Sequence, residues 1–439
     1  MLTIYTETQV MMTLAALAAT GATERPSGET LADHKARILK GINTQLAMPG
    51  LATNKEWKAI WVGLTASRAN LAYLAYNQNV GISGIINPIY ALVLRGTMGG
   101  SPIDTSEDME VGLMLPFTAG GMPGDGNLGN ISQGAMEAFT DILMGTDLLA
   151  ALKDPVPPTL YVVGHSLGGA MVTTISLYLA AANVLPLQRI LPYTFAAPTA
   201  GDGNFAAWFH SQFPLAPCVI NKYDLVPNAW ATLAELPKDH KDNPFYPDGS
   251  HHIKGPGPTA NPTNSVGILI NSVAAGTADN IYVQPNQQPA LNDGSSPLFL
   301  DPYPIGAQSQ VQMFEVQVGF QHANNTYLTL LGAPTLPSSA PIVASVGPTS
   351  GPATGGTQVT ILPPSGVTFA QDSVVDFGII PATSSTVAGD GTSITATAPV
   401  GVGTVDIRVT NEFGTSPAVP VYPNLTFDNF SDQFTFNPA

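Results

Sequence analysis

Residues 159–172 read Thr-Leu-Tyr-Val-Val-Gly-His-Ser-Leu-Gly-Gly-Ala-Met-Val, and this stretch decides the fold. A short apolar run with β-branched residues, 160–163, gives way to small residues at Gly164, Ser166 and Gly168, and a long apolar segment follows. The pattern predicts a buried strand, a sharp turn and a helix. Small residues at the turn let strand and helix approach closely and leave the Ser166 hydroxyl exposed, as a nucleophilic serine requires.

The predicted helix begins at Leu167, where the first backbone N–H groups have no carbonyl partner in a preceding turn. The N–H of Leu167 can therefore point at negative charge that develops on a carbonyl oxygen. A chance Gly/Ser turn is the alternative interpretation of the motif. The strand–turn–helix context and the doubled Gly168-Gly169 favour the nucleophile.

The composition narrows the classes of function. The chain has 439 residues, of which 44% are apolar, and its 15 basic and 31 acidic residues leave a net charge of −16. This length predicts two or three domains with a sizeable core. The acidic excess disfavours binding to nucleic acid or to an anionic membrane surface, and it is compatible with a neutral or apolar substrate. The single cysteine, Cys218, excludes an intrachain disulfide and leaves the compartment open.

The apolar run from Val10 to Ala22 predicts an amphipathic first helix. No basic residue precedes this run and Glu7 lies just before it, so it is unlike a secretory signal peptide. Nothing else approaches the roughly 20 apolar residues of a membrane span. A secreted or extracellular location is compatible with the sequence, but no convincing signal peptide supports it.

Strands and helices alternate along the first part of the chain. We expect helices over residues 31–47, 57–77, 131–152 and 265–275, and strands at 90–94, 160–163, 193–197, 218–221 and 313–318. Such alternation predicts a mostly parallel sheet covered on both faces, which is an α/β fold.

The stretch from Met98 to Asn130 is rich in Gly and Pro and carries scattered apolar residues. It is too long for a plain connection, which is typical of a mobile functional loop, and we expect a lid-like region at about 98–130. Met114, Leu115 and Phe117 within it are candidates to line an apolar groove for an acyl chain.

A serine hydroxyl needs a base within hydrogen-bond reach and a carboxylate that orients the base. On sheets of this kind the three follow the chain order Ser, Asp or Glu, His. Asp224 is the strongest acid candidate because it follows the apolar strand 218–221, at the sheet end where parallel strands present their site. A capping aspartate is the alternative interpretation. His322 lies between ordered segments and is the favoured base, whereas His251-His252 lie in a Gly/Pro loop and are at best a weak metal-binding pair. We expect no metal and no cofactor.

Taken together, residues 1–333 resemble the class 3 (fungal-lipase-like) family of α/β-hydrolases. The motifs that carry the resemblance are Leu-Arg-Gly-Thr (94–97), Gly-Asn-Ile-Ser-Gln-Gly (129–134), Gly-His-Ser-Leu-Gly-Gly (164–169), Phe-Ala-Ala-Pro-Thr-Ala-Gly (195–201), Tyr-Asp-Leu-Val-Pro (223–227) and Phe-Gln-His (320–322).

The resemblance implies a nucleophile at Ser166, an orienting acid at Asp224 and a base at His322. It also implies an oxyanion hole formed by the amides of Thr97 and Leu167, and a lid after the Arg-Gly-Thr motif. The family usually carries a tryptophan in the helix at that position, and residues 98–123 lack one. Lid behaviour, and with it a preference for the lipid–water interface, therefore stays open.

The pattern of apolar and polar residues changes at about Leu336. Pro-Ser-Ser-Ala-Pro (337–341) reads as a linker, and short alternating runs separated by Gly, Pro and Ser predict an antiparallel β-sandwich. Residues 341–420 resemble an IPT/TIG immunoglobulin-like domain through the stretch 341–357, Val-Asp-Phe-Gly (375–378) and the strand at 404–409. We therefore expect a hydrolase domain at 1–336, and a linker, sandwich and tail at 337–439. The resemblance implies a fold and not a function. The sandwich could stabilise the hydrolase, or contact a polysaccharide, a surface or another subunit.

The sequence thus predicts a carboxylic ester hydrolase, foremost a lipase that cleaves acylglycerols through an acyl-enzyme on Ser166. A short-chain, phospholipid A1 or feruloyl-type esterase is the alternative on the same fold. A non-catalytic surface-binding protein is disfavoured because every catalytic position holds a competent residue.

Overall fold

The computed structural model describes residues 4–21, 29–65, 70–77, 88–96, 110–118, 128–154, 156–233, 265–277, 279–285, 289–294, 298, 317–337, 341–411, 413–416 and 432–438. The chain divides into two compact units, one of residues 1–19, 43–303 and 307–336, the other of residues 20–42, 304–306 and 337–439. The domain boundaries expected from the sequence, 1–336 and 337–439, stay a prediction.

A six-stranded sheet forms the centre of the first unit. Its strands are β1 (Trp57–Leu64), β2 (Leu71–Asn77), β3 (Ile89–Leu94), β6 (Thr159–His165), β7 (Ile190–Phe195) and β8 (Cys218–Val219), in the order β1-β2-β3-β6-β7-β8. Strands β3, β6, β7 and β8 are parallel, and β1 and β2 run antiparallel at one edge. The predicted α/β fold with a mostly parallel sheet is confirmed.

Several α-helices lie in the described part of the chain. They are α1 (Glu7–Leu17), α2 (Leu31–Leu46), α3 (Gln133–Gly145), α4 (Leu148–Ala151), α5 (Leu167–Ala181), α6 (Gly203–Gln212), α7 (Ser265–Ala275) and α8 (Asn324–Leu330). Helix α5 follows β6 directly, packs against β6 and β7, and is buried from Gly168 to Leu177. The strand, turn and helix predicted at 159–172 are therefore all present. No helix in the described part of the chain is long and apolar enough to span a membrane.

The prediction of a helix over residues 57–77 was wrong, because β1 and β2 form an antiparallel hairpin there. The Ala and Leu residues of this stretch favour a helix by local propensity. In the fold, however, residues 71–75 are at most 1% exposed, so β2 is buried on both faces. The hydroxyl of Tyr73 donates to the carbonyl of Leu14 in α1 at 2.5 Å. Burial between other elements thus outweighed the local preference.

Helix α1 begins at Glu7, three residues before the expected start, and residues 11–17 are buried all round. The expectation that it is amphipathic was therefore wrong. Its first turn is fixed by polar contacts, since the Glu7 carboxylate accepts hydrogen bonds from the hydroxyls of Tyr161 and Tyr193 at 2.5 and 2.9 Å. The helix covers the sheet at β6.

The edge strand expected at 313–318 is not present where that stretch is described. Residues 313–316 lie outside the described ranges, and residues 317–322 are helical. A two-residue period of apolar and polar residues over six positions is too short to distinguish a strand from one helical turn and a half. His322 therefore ends a short helix, with α8 starting two residues later.

The expected lid-like region is described only in part. Strand β4 (Met114–Pro116) pairs antiparallel with β5 (Asn130–Ser132), directly before α3. Residues 97–109 and 119–127 lie outside the described ranges. The lid stays a prediction.

The second unit contains two β-sheets. Their strands are β9 (Ser345–Gly347), β10 (Ser350–Pro352), β11 (Gln358–Leu362), β12 (Val374–Phe377), β13 (Ile380–Pro381), β14 (Ser384–Val387), β15 (Ile394–Thr397), β16 (Gly403–Asn411), β17 (Gly414–Thr415) and β18 (Gln433–Asn437). One sheet has the order β10-β18-β16-β12-β13, with β17 paired to β16, and the other has the order β14-β15-β11-β9.

These sheets fit a β-sandwich. Alternate residues of β11, Val359 and Ile361, are buried, as the alternating sequence predicts. The C-terminal strand β18 adds Phe434 and Phe436 to the same apolar core. All pairings are antiparallel except that of β10 with β18, which is parallel and departs from the prediction.

Candidate active site

Ser166 lies on the tight turn between β6 and α5, with φ 60° and ψ −134°. Positive φ is uncommon for a residue with a side chain, so this backbone is strained and must be held by its surroundings. The Ser166 N–H donates to the carbonyl of Phe195 at 3.0 Å, and the Ser166 carbonyl accepts from the N–H of Gly169 at 2.8 Å. The turn is thereby fixed to both the neighbouring strand and the helix.

The glycines around Ser166 are required by close backbone approach. A Cβ added to Gly164 would lie 2.3 Å from the carbonyl oxygen of Gly168, and one added to Gly168 would lie 2.2 Å from the carbonyl oxygen of Leu94. Both distances are far inside van der Waals contact. The absence of side chains therefore lets α5 pack directly on β6, as the sequence predicted, and also on the end of β3.

His322 connects the serine to a carboxylate. Its Nε2 lies 2.8 Å from Ser166 Oγ, and its Nδ1 lies 2.9 Å from Oδ2 and 3.1 Å from Oδ1 of Asp224. The fold thus brings together the three side chains that the sequence predicted. With Nδ1–H donating to Asp224, Nε2 is left to accept the proton of the serine hydroxyl.

Asp224 is fully buried, and its carboxylate is satisfied by three donors. Besides His322, Oδ2 accepts from the hydroxyl of Tyr327 at 2.8 Å and Oδ1 accepts from the N–H of Val226 at 3.0 Å. A buried carboxylate would otherwise be strongly destabilised. Burial, and then the charge of Asp224, raises the pKa of Tyr327, so its hydroxyl keeps the proton that it donates.

Tyr327 was not among the site residues that the sequence predicted. The only signal was an aromatic side chain with a hydroxyl, five residues beyond the histidine, and many such residues are simply part of a core. Its place in the site depends on α8, which turns the side chain back towards β8. Local sequence does not encode that direction.

His165, which precedes the serine, packs within the elbow. Its ring centroid lies 4.7 Å from that of His322 and 5.4 Å from that of Tyr327. Burial lowers the pKa of His165 well below its ordinary value, with a smaller contribution from His322. The imidazole that lies beside His322 is therefore neutral.

Of the two residues expected to form an oxyanion hole, one lies within the described residues and the other lies outside them. Leu167 begins α5, so its N–H lies at a helix N-terminus directly after the serine. Thr97 lies outside the described residues. Its neighbour Gly96 lies close to the serine, since a Cβ added there would be 2.9 Å from Ser166 Cβ. The chain therefore passes beside Ser166 immediately before Thr97.

A second apolar cluster adjoins this site. Its buried members are Val111, Leu225, Ala229, Trp230, Leu233, Ile270, Val273, Tyr282 and Val318. Leu167 packs both against this cluster and against the main core under the sheet, and Met114 packs against the cluster as well. Helix α7 and the described residues 110–118 of the lid-like region therefore meet next to the turn that carries the serine.

The three residues expected to line an acyl groove occupy different environments. Met114 and Leu115 are half-buried in β4. Phe117 is 1% exposed and lies in the main core, edge-on to the rings of Phe139 and Phe205 at centroid distances of 5.3 and 5.5 Å. Their role as groove residues stays a prediction.

The remaining candidates add no second centre in the parts of the chain that the structure covers. Asp202 caps α6, where it accepts from the N–H of Phe205 at 2.9 Å. His251 and His252 lie outside the described residues. Among the described side chains, no group of three or more His, Cys, Asp or Glu residues could hold a metal ion.

Comparison with known proteins agrees with this geometry. Residues 91–233 match the family model of the class 3 lipases. That stretch spans β3, the serine turn and Asp224. A comparison with curated proteins finds no match.

Among solved structures, a crystal structure of M37 lipase is 22% identical, with a TM-score of 0.57 over 75% of this chain and 93% of that chain. A Rhizomucor miehei lipase propeptide complex is 22% identical, with a TM-score of 0.33 over 51% of this chain and 62% of its own. Lipase II from Rhizopus niveus is 16% identical, with a TM-score of 0.36 over 51% and 74%. Residues 91–233 are therefore similar to the class 3 lipases, which supports an ester hydrolase activity, and the chain shares an α/β-hydrolase-like fold with M37 lipase.

Proposed function

We propose that the protein is a serine carboxylic ester hydrolase that cleaves acylglycerols through an acyl-enzyme on Ser166. The observation that carries the proposal is the continuous contact from Ser166 Oγ to His322 Nε2 at 2.8 Å and from His322 Nδ1 to Asp224 at 2.9 Å. This arrangement makes a serine hydroxyl nucleophilic at neutral pH.

In the first half of the reaction, Ser166 Oγ attacks the ester carbonyl carbon while its proton passes to His322 Nε2. Asp224 stabilises the imidazolium that forms. His322 then gives the proton to the departing alcohol oxygen as the C–O bond breaks, which leaves the acyl group on Ser166. In the second half, water gives a proton to His322 and attacks the acyl carbon, and the same proton returns to Ser166 Oγ as the acid leaves.

Negative charge on the carbonyl oxygen needs fixed donors. The N–H of Leu167 is one, since it lies at the start of α5 beside the serine. The amide and hydroxyl of Thr97 supply the second, a proposal supported by the closeness of Gly96 to Ser166. Loss of one such donor typically costs about 10²–10³ in kcat.

An apolar acyl chain suits the surroundings of the serine. The second apolar cluster reaches Leu167, and Met114 packs against the same cluster. We therefore place the acyl chain against this side of the site, with Met114, Leu115 and Phe117 on or beneath its wall. A series of p-nitrophenyl esters of increasing chain length, with and without an emulsion, tests the substrate class. A short-chain optimum that is indifferent to the emulsion would replace the lipase with a short-chain, phospholipid A1 or feruloyl-type esterase.

The substitution Ser166→Ala tests the chemistry. We expect kcat to fall by about 10³-fold or more, because the members of a triad act as a unit. The matched control is Ser211→Ala, which removes an exposed hydroxyl that donates to the carbonyl of Trp208 and accepts from Gln212 Nε2, both within α6. If Ser166→Ala keeps most of its activity on a p-nitrophenyl ester, or still reacts with a fluorophosphonate probe, the proposal is wrong.

For the C-terminal part we propose only an immunoglobulin-like, IPT/TIG-like sandwich within residues 337–439. The two sheets and their shared core of alternate buried residues support it. We assign it no partner.

A further inference from the structure

The long interval between Asp224 and His322 returns to the sheet beside the acid. Leu291 pairs with Asn221 in a parallel bridge, in which the Leu291 N–H donates to Ile220 at 2.8 Å and the Lys222 N–H donates to Leu291 at 3.0 Å. Through this bridge, residues 289–294 lie beside the chain just beyond β8. The bridged residue, Asn221, precedes Asp224 by three positions.

The residue before the base is held by side-chain amides. Gln321 is fully buried. Its Oε1 and its backbone carbonyl both accept from Asn221 Nδ2, at 2.7 and 2.9 Å. Its Nε2 donates to the carbonyl of Leu298 at 2.8 Å. The amide therefore bonds the acid-bearing turn on one side and the 292–298 segment on the other.

Asn292 completes the contact from the bridge segment. Its Oδ1 accepts from the N–H of Leu298 at 2.6 Å, and its Nδ2 donates to the carbonyl of Leu298 at 3.0 Å. The same Nδ2 lies 3.4 Å from Gln321 Oε1. Asn292 therefore fixes the position of the Leu298 carbonyl, which Gln321 binds.

Asn221 carries these contacts to the acid. Its backbone N–H donates to the hydroxyl of Tyr327 at 2.9 Å, and its carbonyl accepts from the N–H of Asp224 at 3.0 Å. Tyr327 in turn donates to the Asp224 carboxylate. Hydrogen bonds therefore join Asp224 to the buried amides of Asn221 and Gln321, and the peptide bond between Gln321 and His322 connects the same amides to the base.

We propose that Asn221, Asn292 and Gln321 form an amide clamp that positions His322 relative to Asp224. Gln321 is the central positioning residue, and the bridge segment braces it. This inference rests on the proposed function of the triad. Asn221 and Gln321 are buried, and Asn292 is half-buried. Buried amides must find all their partners or destabilise the fold, so they fix one arrangement where apolar side chains would permit several. Because a misplacement of about 1 Å in such a site can cost about 10²-fold in rate, one fixed arrangement has a direct catalytic consequence.

The variants Gln321→Met and Asn292→Ala test the clamp. The first keeps the side-chain length without the amide, and the second removes the brace without touching the triad. We expect kcat on a soluble p-nitrophenyl ester to fall about 10- to 100-fold while KM stays within a factor of about two, because the substrate site is intact and the base is misplaced. The rate of fluorophosphonate labelling should fall by the same factor.

The matched control is Asn325→Ala. Asn325 bonds the N–H and carbonyl of Leu336 at 3.0 and 3.2 Å, in the same reciprocal way that Asn292 bonds Leu298, and among the described residues its side chain makes no hydrogen bond to Gln321. It should lower the denaturation midpoint as much as Asn292→Ala does and leave kcat unchanged. If Asn292→Ala and Asn325→Ala have equal kcat, the clamp has only a structural role and the inference is overturned.

A double variant separates this inference from the proposed function. If Gln321 acts through the pair of Asp224 and His322, Gln321→Met should cost far less in an Asp224→Asn background than in the native chain. Equal costs in both backgrounds overturn the inference while Ser166→Ala remains inactive. An active Ser166→Ala variant instead overturns the proposed function.

Discussion

Replacement of Gly168 by alanine tests whether close backbone packing holds the serine in place. Two effects oppose each other in this variant. Gly168 is the second residue of α5, and alanine is favoured over glycine in a helix by about 1 kcal/mol. Helix propensity alone therefore predicts a more stable protein.

The packing predicts the opposite result, and its magnitude is larger. The added Cβ would lie 2.2 Å from the carbonyl oxygen of Leu94 and 2.9 Å from the carbonyl carbon of Arg95. Both contacts are backbone, so α5 and β3 must separate by roughly 0.8 Å or more to restore a van der Waals distance. Overpacking of this kind costs about 3 kcal/mol, at the upper end of the usual range. The net expectation is a loss of about 2 kcal/mol in the free energy of unfolding.

The same displacement should lower the rate. Ser166 lies two residues before Gly168, so a shift of α5 moves its hydroxyl relative to His322. We expect fluorophosphonate labelling to slow by about 10- to 100-fold. Urea denaturation measures the stability of the same samples.

The matched control is Gly203→Ala at the start of α6. A Cβ there meets only Val283 Cγ2 at an ordinary 3.5 Å. We expect its stability to be equal to that of the native protein or higher by up to about 1 kcal/mol, with unchanged labelling. If Gly168→Ala behaves like this control in both measurements, the packing argument for the elbow is refuted.

Two further predictions concern buried polar groups. Tyr327→Phe should lower the free energy of unfolding by about 1.5–3 kcal/mol in urea denaturation, because the buried carboxylate of Asp224 loses a donor. A loss below about 0.5 kcal/mol would contradict the role given to the Tyr327 hydroxyl. In the second unit, burial, and then Asp406, raises the pKa of Asp432 to about 6, so folding favours the protonated acid. Stability from this group should be present below about pH 4, near the ordinary pKa of aspartate, and be lost as pH rises through 6. Asp432→Asn should flatten the decline of the urea midpoint between pH 4 and 7, and an unaltered decline would show that Asp432 is not its source.

The sequence predicted most accurately the features that depend on residues close together in the chain. The elbow is visible because strand, glycines, serine and helix follow one another within 14 residues, and each has a steric reason to be there. Asp224 and His322 could be chosen because chain order and the end of a parallel strand limit the candidates. The parallel strands β3, β6, β7 and β8 of the central sheet followed from the alternation of strands and helices.

Long-range packing accounts for what the sequence analysis missed. Residues 57–77 contain good helix formers, and only the burial of β2 on both faces makes them strands. Tyr327 and Gln321 gain their contacts from chain segments up to about 100 residues away, such as Asn221. Local sequence patterns do not encode pairings between such distant residues. The hydrogen bonds that support the triad could therefore be identified only from the structure.

The contact between the first helix and the end of the first unit has a consequence for synthesis of the chain. Gln9 donates to the carbonyl of Leu331 at 2.8 Å, and α1 packs on α8. At translation rates of about 5–20 residues per second, the ribosome needs roughly 15–60 s to pass from one to the other. During that time the apolar α1 lacks part of its cover, and the nascent chain carries the serine without its base. We therefore expect the nascent protein to depend on chaperones and to be catalytically silent until its last helix of this unit has emerged.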